Sequence, residues 1–173
     1  MRKWPAIAGS LLFLAVPGSV AGLVPWWLCG WRVSDHFSDY LAMQLPLRAA
    51  GALLIALGVL GLLDSFRRFA VQGLGTPAPV LPTRHLVVGG LYRYVRNPMY
   101  VAVIAAIVGQ ALLFGKLPLL VYGGLVWLAC HGFVCLYEEP VLRAGFGGEY
   151  REFCAAVPRW MPRTTPWRGP AQS

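Results

Sequence analysis

Four long apolar runs divide the chain, and its polar residues gather at their ends rather than along one face. Crossing the ~30 Å hydrocarbon core of a bilayer takes about 20 mostly apolar residues. The runs approach that length at roughly 4–28, 47–70, 98–114 and 117–137. Pro17 and Gly18 interrupt the first; the second is strongest from Leu47 to Leu63 and extends toward Ala70. Only Gly115 and Lys116 separate the last two before Pro118, a link so short that it forces an antiparallel helical hairpin. The pattern predicts an all-α, polytopic membrane protein of one domain, 1–173, with about four transmembrane helices.

Composition agrees with that reading. Hydrophobic residues make up 57% of the 173 and charged residues only 13%, with a mean hydropathy of +0.58, too apolar for an ordinary soluble domain. The formal charge of +8 is spread between apolar runs, so anionic lipid headgroups and a cytoplasmic bias of Lys and Arg explain it better than nucleic acid does. Arg2 and Lys3 precede the first run, Arg67, Arg68, Arg84, Arg93 and Arg96 lie between the second and third, and Arg143, Arg151, Arg159, Arg163 and Arg168 follow the fourth. Both termini and the central loop are therefore expected in the cytoplasm, with the protein in an inner or plasma membrane. Arg2-Lys3, a short apolar stretch and Ser19-Val20-Ala21 imitate a secretory signal peptide. The run's continuation through Trp26, Trp27 and Leu28 favours a retained helix.

Gly73, Gly75, Pro77, Pro79 and Pro82 predict an irregular central loop. The segment 138–163 mixes Val141, Leu142, Phe146, Tyr150 and Phe153 with charges, and Gly145, Gly147 and Gly148 weaken regular helix there. It reads as a broken amphipathic segment folding back over the cytoplasmic helix ends. Cys29, Cys130, Cys135 and Cys154 have no metal-site spacing, and neither a disulfide nor a metal is expected.

Chemistry is concentrated at one membrane edge. Residues 90–100, Gly-Leu-Tyr-Arg-Tyr-Val-Arg-Asn-Pro-Met-Tyr, place two arginines, three tyrosines and a helix-starting proline at the mouth of the third run. If the hairpin turns near Lys116, Tyr100 lies near His131 and Gln110 near Tyr122. On the fourth helix His131, Cys135 and Glu138, spaced i, i+4 and i+7, share one face. Glu138 and Glu139 at a helix C-terminus meet the negative end of the dipole and repel each other. A cation resolves the conflict: Arg93, Arg96 or Arg143 in a structural ion pair, or the ammonium of a ligand. Asp64 reads as an ion pair with Arg67 or Arg68 on one helix, and Gln110 as an interhelical hydrogen-bond partner. No P-loop, nucleophile elbow or HExxH motif is present.

Three blocks in order, Gly90 to Tyr100, Tyr137-Glu138-Glu139-Pro140 and Phe146-Gly-Gly-Glu-Tyr150, resemble the isoprenylcysteine carboxyl methyltransferase and phospholipid methyltransferase superfamily over about residues 73–163. The resemblance implies S-adenosylmethionine bound at the cytoplasmic ends of the last helices. Gly90, Leu91, Tyr92, Arg96, Asn97, Pro98, Tyr100 and His131 would hold it, and Glu138 and Glu139 would receive its amino group. Asn97 stands where the prenylcysteine enzymes usually have histidine; it can bind cofactor and cannot act as a general base. The implied activity is methyl transfer to a lipophilic or lipid-linked acceptor. A carboxylate acceptor needs only a cationic orienter, for which Arg93, Arg151 and Arg159 are candidates, and an amine needs a base, for which Glu139 or His131 is nearest. Phospholipid N-methylation, an NADPH-dependent membrane reductase of related topology and a non-catalytic scaffold are the alternatives.

Overall fold

Proline inside a helix removes a backbone donor and crowds the carbonyl four residues back, and two helical stretches of this chain respond in the same way. The computed structural model describes residues 15–33, 41–72, 86 and 88–169. The predicted start of the first helix and the central loop 73–85 lie outside the described residues. Helix α1, Ala15–Cys29, contains a π-turn over Ser19–Leu23, where the Val24 N–H donates to the Ser19 carbonyl, and Pro25 follows. The π-turn, which sends the Val24 N–H to Ser19, and the missing N–H at Pro25 together take helical donors away from the carbonyls of Val20 and Ala21. The Tyr122 hydroxyl donates to the first at 2.9 Å and Gln110 Nε2 to the second at 2.7 Å. Gln110 Oε1 accepts the Trp31 indole N–H at 3.1 Å.

Gln110 is thus the interhelical partner its type and position suggest, and its placement beside Tyr122 follows the hairpin register. Polar backbone groups in hydrocarbon must be satisfied within the protein. Gln110→Leu leaves the Ala21 carbonyl and the Trp31 indole unpaired and is expected to cost about 1–2 kcal/mol. A thermal-unfolding midpoint in detergent equal to that of the unmodified protein would contradict this.

Helix α2, Leu41–Gln72, is 32 residues long and begins earlier than the predicted 47, carrying Pro46 near its start. Its apolar part, Gln44–Arg68, is long enough to cross a membrane. Helices α3, Pro98–Phe114, and α4, Leu117–Phe133, follow one another through Gly115 and Lys116 as the predicted hairpin. Proline opens each of them within the first turn. Gly115 ends α3 in the left-handed conformation, φ 64°, with its N–H on the Ala111 carbonyl.

Small residues bring α2 and α3 together antiparallel. A Cβ on Gly51 would lie 2.6 Å from the Gly109 carbonyl oxygen, and one on Gly109 would lie 2.6 Å from that of Gly51. Gly58 meets Ala102 and Ala106 in the same way. Lipid offers no hydrophobic drive for helix association, so this backbone approach supplies the packing.

The fourth helix does not end at Tyr137, as the sequence pattern predicts. It passes through a second π-turn, Val134–Glu138, into α5, Glu139–Ala156. Pro140 stands two residues beyond the turn, as Pro25 does in α1, and the wide turn accommodates the missing donor. Leu117–Ala156 is 40 residues, about 60 Å at 1.5 Å per residue and twice the hydrocarbon core; its spanning part is taken as 117–137. Of the expected breaks in 138–163, Gly147 alone departs from helical geometry within α5. Tyr150 and Phe153 of α5 are buried with Val157, against Leu86, Val88 and Trp167.

Beyond α5 the chain returns as an irregular strap, 157–168, laid across 93–97. The Arg96 N–H donates to the Pro158 carbonyl at 2.9 Å, the Arg163 N–H to Tyr94 at 3.0 Å and the Trp167 N–H to Arg93 at 2.9 Å.

Candidate functional site

The second π-turn decides which glutamate faces which neighbour. An i→i+5 turn takes in about one more residue than an α-turn, setting everything after it back by roughly 100°. Glu138 therefore leaves the face shared by His131 and Cys135, and Glu139 takes its place. The expected His131, Cys135 and Glu138 stripe is corrected to His131, Cys135 and Glu139. Cys135 Sγ stays 3.6 Å from His131 Nε2.

Glu139 is buried and held by three guanidiniums. Arg159 grips it with two bonds, Nε to Oε1 at 2.6 Å and Nη2 to Oε2 at 3.0 Å. Arg96 Nη1 donates to Oε1 at 3.0 Å and Arg143 Nη2 to Oε2 at 3.3 Å. Burial alone pushes this carboxyl up, but the Arg159 hydrogen bond and the charges of Arg96, Arg159 and Arg143 outweigh it and hold it below the ordinary glutamate range. The same bond from Glu139 raises Arg159 above its usual value. The helix does not terminate here, so the dipole conflict expected at Glu138 and Glu139 does not arise.

Glu138 faces the other way. Its Oε2 accepts the Tyr100 hydroxyl at 3.2 Å, and no arginine or lysine lies within ion-pair distance of it among the described residues. Burial pushes its carboxyl up, the Tyr100 bond pulls against that, and the Glu139 charge adds to it; the balance lies above the ordinary range. Tyr92 belongs to the same neighbourhood. Burial first, then the charges of Glu138 and Asp64, raise its phenol well above the usual tyrosine value.

The strap completes one wall. Trp160 Nε1 donates to His131 Nδ1 at 3.0 Å, and its ring lies between Tyr100 and Trp127, with centroid separations of 6.5 and 6.1 Å. Trp127 stacks on His131 at 5.2 Å. Tyr100 and His131 are thus neighbours through Trp160. Asn97 is buried, and its side-chain amide donates to the Arg159 carbonyl at 3.2 Å. Arg93 Nε donates to the Trp167 carbonyl. Arg96, Asn97 and Arg93 therefore hold the strap, while Pro98 starts α3.

Gly90, Leu91 and Tyr92 form a short 3-10 helix, Gly90–Arg93, against the end of α2. Arg151 is exposed on α5 and joins no ion pair among the described residues. Trp160 and the strap's carbonyls are site components that residue type alone does not reveal.

The sequence from α2 through most of α5 matches one family model, phospholipid methyltransferase, over residues 47–149. The chain belongs to the phospholipid methyltransferase family. It is thereby part of the superfamily of integral membrane methyltransferases that includes the isoprenylcysteine carboxyl methyltransferases. The family match takes in Asp64, the Gly90 to Tyr100 block, His131, Glu138 and Glu139, and stops before Arg151, Arg159 and Trp160. No significant match was found among curated proteins or among solved structures.

Proposed function

We propose that this member of the family transfers a methyl group from S-adenosylmethionine to a lipophilic or lipid-linked acceptor, at the cytoplasmic ends of four spanning helices. Glu138 carries the reading. It is a half-buried carboxylate whose bonded partner among the described residues is a neutral hydroxyl, Tyr100, while its neighbour Glu139 is saturated by arginines. A carboxylate partly withdrawn from water is favoured by a cation. The ammonium of an amino-acid end is the matching group, so the donor set fits the cofactor.

Glu138 would bind that ammonium, with Tyr100 fixing the carboxylate's orientation. Gly90, Leu91 and Tyr92 would flank the cofactor, and Trp127, Trp160 and His131 would exclude water from it. When bound, S-adenosylmethionine supplies a methyl group already made electrophilic by its sulfonium, so the protein's task is alignment and dryness. Glu139 is committed to ion pairs, and the Nδ1 lone pair of His131 to Trp160. With these groups engaged, the site favours an acceptor that arrives deprotonated, a carboxylate in the manner of isoprenylcysteine. The family's description supports a second reading, an amine of a phospholipid headgroup.

Binding of S-adenosylhomocysteine to the detergent-purified protein tests the cofactor. Glu138→Gln is expected to weaken it about 10- to 100-fold, matching the roughly 1.5–3 kcal/mol of a charged hydrogen bond. No binding by the unmodified protein would remove the methyltransferase reading, and equal binding by the variant would remove Glu138 from it. Labelled methyl transfer into a lipid extract then separates the acceptors: alkali releases a methyl ester and leaves an N-methyl group.

A further inference from the structure

We infer that Asp64, together with Arg68, is a positioning residue for the cofactor-binding block, holding Gly90 and Leu91 against α2 so that Tyr92 stands beside Glu138. The inference rests on the cofactor site proposed above. Arg68 pairs with Asp64 through two bonds, Nε to Oδ2 at 2.8 Å and Nη2 to Oδ1 at 3.0 Å. As an ordinary i,i+4 pair on a helix surface it would contribute little to stability. Both partners, however, make a second contact that reaches across to the block.

The Asp64 carboxylate also accepts the backbone N–H of Leu91. Leu91 is in the first turn of the Gly90–Arg93 helix, where backbone donors have no carbonyl to meet, and Gly89 supplies no side-chain cap. Asp64 caps that helix from another element. Arg68 makes the companion contact: its guanidinium occupies the space where a Cβ on Gly90 would fall. Gly90 has φ +55°, a backbone conformation that favours glycine, and a side chain there would also displace the guanidinium.

Helix α2 provides a firm base for this clamp. Gly58 and Gly61 seat it on Ala102 and Ala106 of α3, and Leu91 Cδ1 reaches to 3.8 Å from the position a Gly61 Cβ would take. The strap secures the second half of the block, from Arg93 to Asn97. Asp64 secures the first half. Tyr92 joins the two sites, because its hydroxyl lies within electrostatic reach of both Asp64 and Glu138.

A surface ion pair survives exchange of its partners, and a clamp does not. The test uses the full chain in detergent with two readouts: amide hydrogen exchange over residues 89–94 without ligand, and S-adenosylhomocysteine affinity. Asp64→Ala is expected to speed exchange at Leu91 at least 10-fold, weaken binding at least 10-fold, and raise KM for the cofactor while leaving kcat within about twofold. Asp64→Glu should recover part of both effects. The double variant Asp64→Arg with Arg68→Asp rebuilds an i,i+4 pair and should recover neither. Recovery of both by the exchange, or wild-type exchange and affinity in Asp64→Ala, would overturn the inference. Should Asp64→Ala fail to fold, the isosteric Asp64→Asn takes its place in the comparison. If the unmodified protein binds no S-adenosylhomocysteine, the proposed function falls, and unchanged exchange in the Asp64 variants would separately dispose of the clamp.

Discussion

Glu139→Ala is expected to destabilise the protein by about 3–5 kcal/mol, the cost of removing one partner from a buried charge cluster. Glu139 is 4% exposed, and the Arg96 side chain only 12%. Without the carboxylate, Arg96 and Arg159 confront each other and Arg143 with no counter-charge. The change reaches beyond α5, because Arg96 belongs to the block before α3 and Arg159 to the strap; one side chain ties three segments together. Because the folded carboxyl is held below the ordinary glutamate range, its contribution is complete above the unfolded value and is lost as pH falls through the folded one. Melting in detergent between pH 7 and pH 3 is the measurement. The unmodified protein should lose stability on the acid side, and Glu139→Gln should show a flatter profile from a lower start. Equal midpoints for Glu139→Ala and the unmodified protein at pH 7 would show that the cluster stabilises nothing.

Gly109→Leu is expected to have an effect of comparable size by a different route. Its Cβ would fall 2.6 Å from the Gly51 carbonyl oxygen and 2.9 Å from the Ile55 backbone nitrogen. Backbone cannot move aside as a side-chain end can, so the two helices must separate. Overpacking ordinarily costs about 1–3 kcal/mol, and separation here also forfeits the small-residue contacts along the rest of the interface. Gln110 is the next residue, so its bonds to Ala21 and Trp31 are disturbed at the same time. Gly109→Ala, with one methyl, should show an intermediate loss. Unfolding midpoints of both variants in a mild detergent test this, and a Gly109→Leu protein as stable as the unmodified one would mean that α2 and α3 do not rely on close approach.

The hairpin was legible in the chain because its punctuation is local: Pro98 and Pro118 open helices, Gly115 closes one, and the apolar stretch between them admits no other reading. The depth register followed, and Gln110 and Tyr122 do meet neighbouring carbonyls. The continuation past Tyr137 was not legible. Pro140 and three glycines resemble a stop, and an i→i+5 turn leaves no pattern in a helix that is apolar on every side. Glu139's ion pairs were partly foreseeable, since Arg96 and Arg143 were among the cations expected near it. From its residue type Arg159 reads only as an acceptor orienter, and its grip on Glu139 depends on how an irregular segment returns. The strap itself attaches largely through backbone groups, at Pro158, Arg159, Arg163 and Trp167, which no residue alphabet records. Asp64 appeared as a simple ion pair because its second partner, the Leu91 N–H, is likewise backbone.

The wide turn at Val134–Glu138 sets two neighbouring acids to different tasks. Two identical side chains, adjacent in sequence, are distinguished solely by helical phase: one is walled in by arginines and the other looks toward a tyrosine. With the same residues wound as an ordinary α-turn, Glu138 would occupy the phase that Glu139 holds and meet the arginines, without either residue being altered. The division of labour between the two acids is therefore encoded in how the backbone winds rather than in side-chain identity.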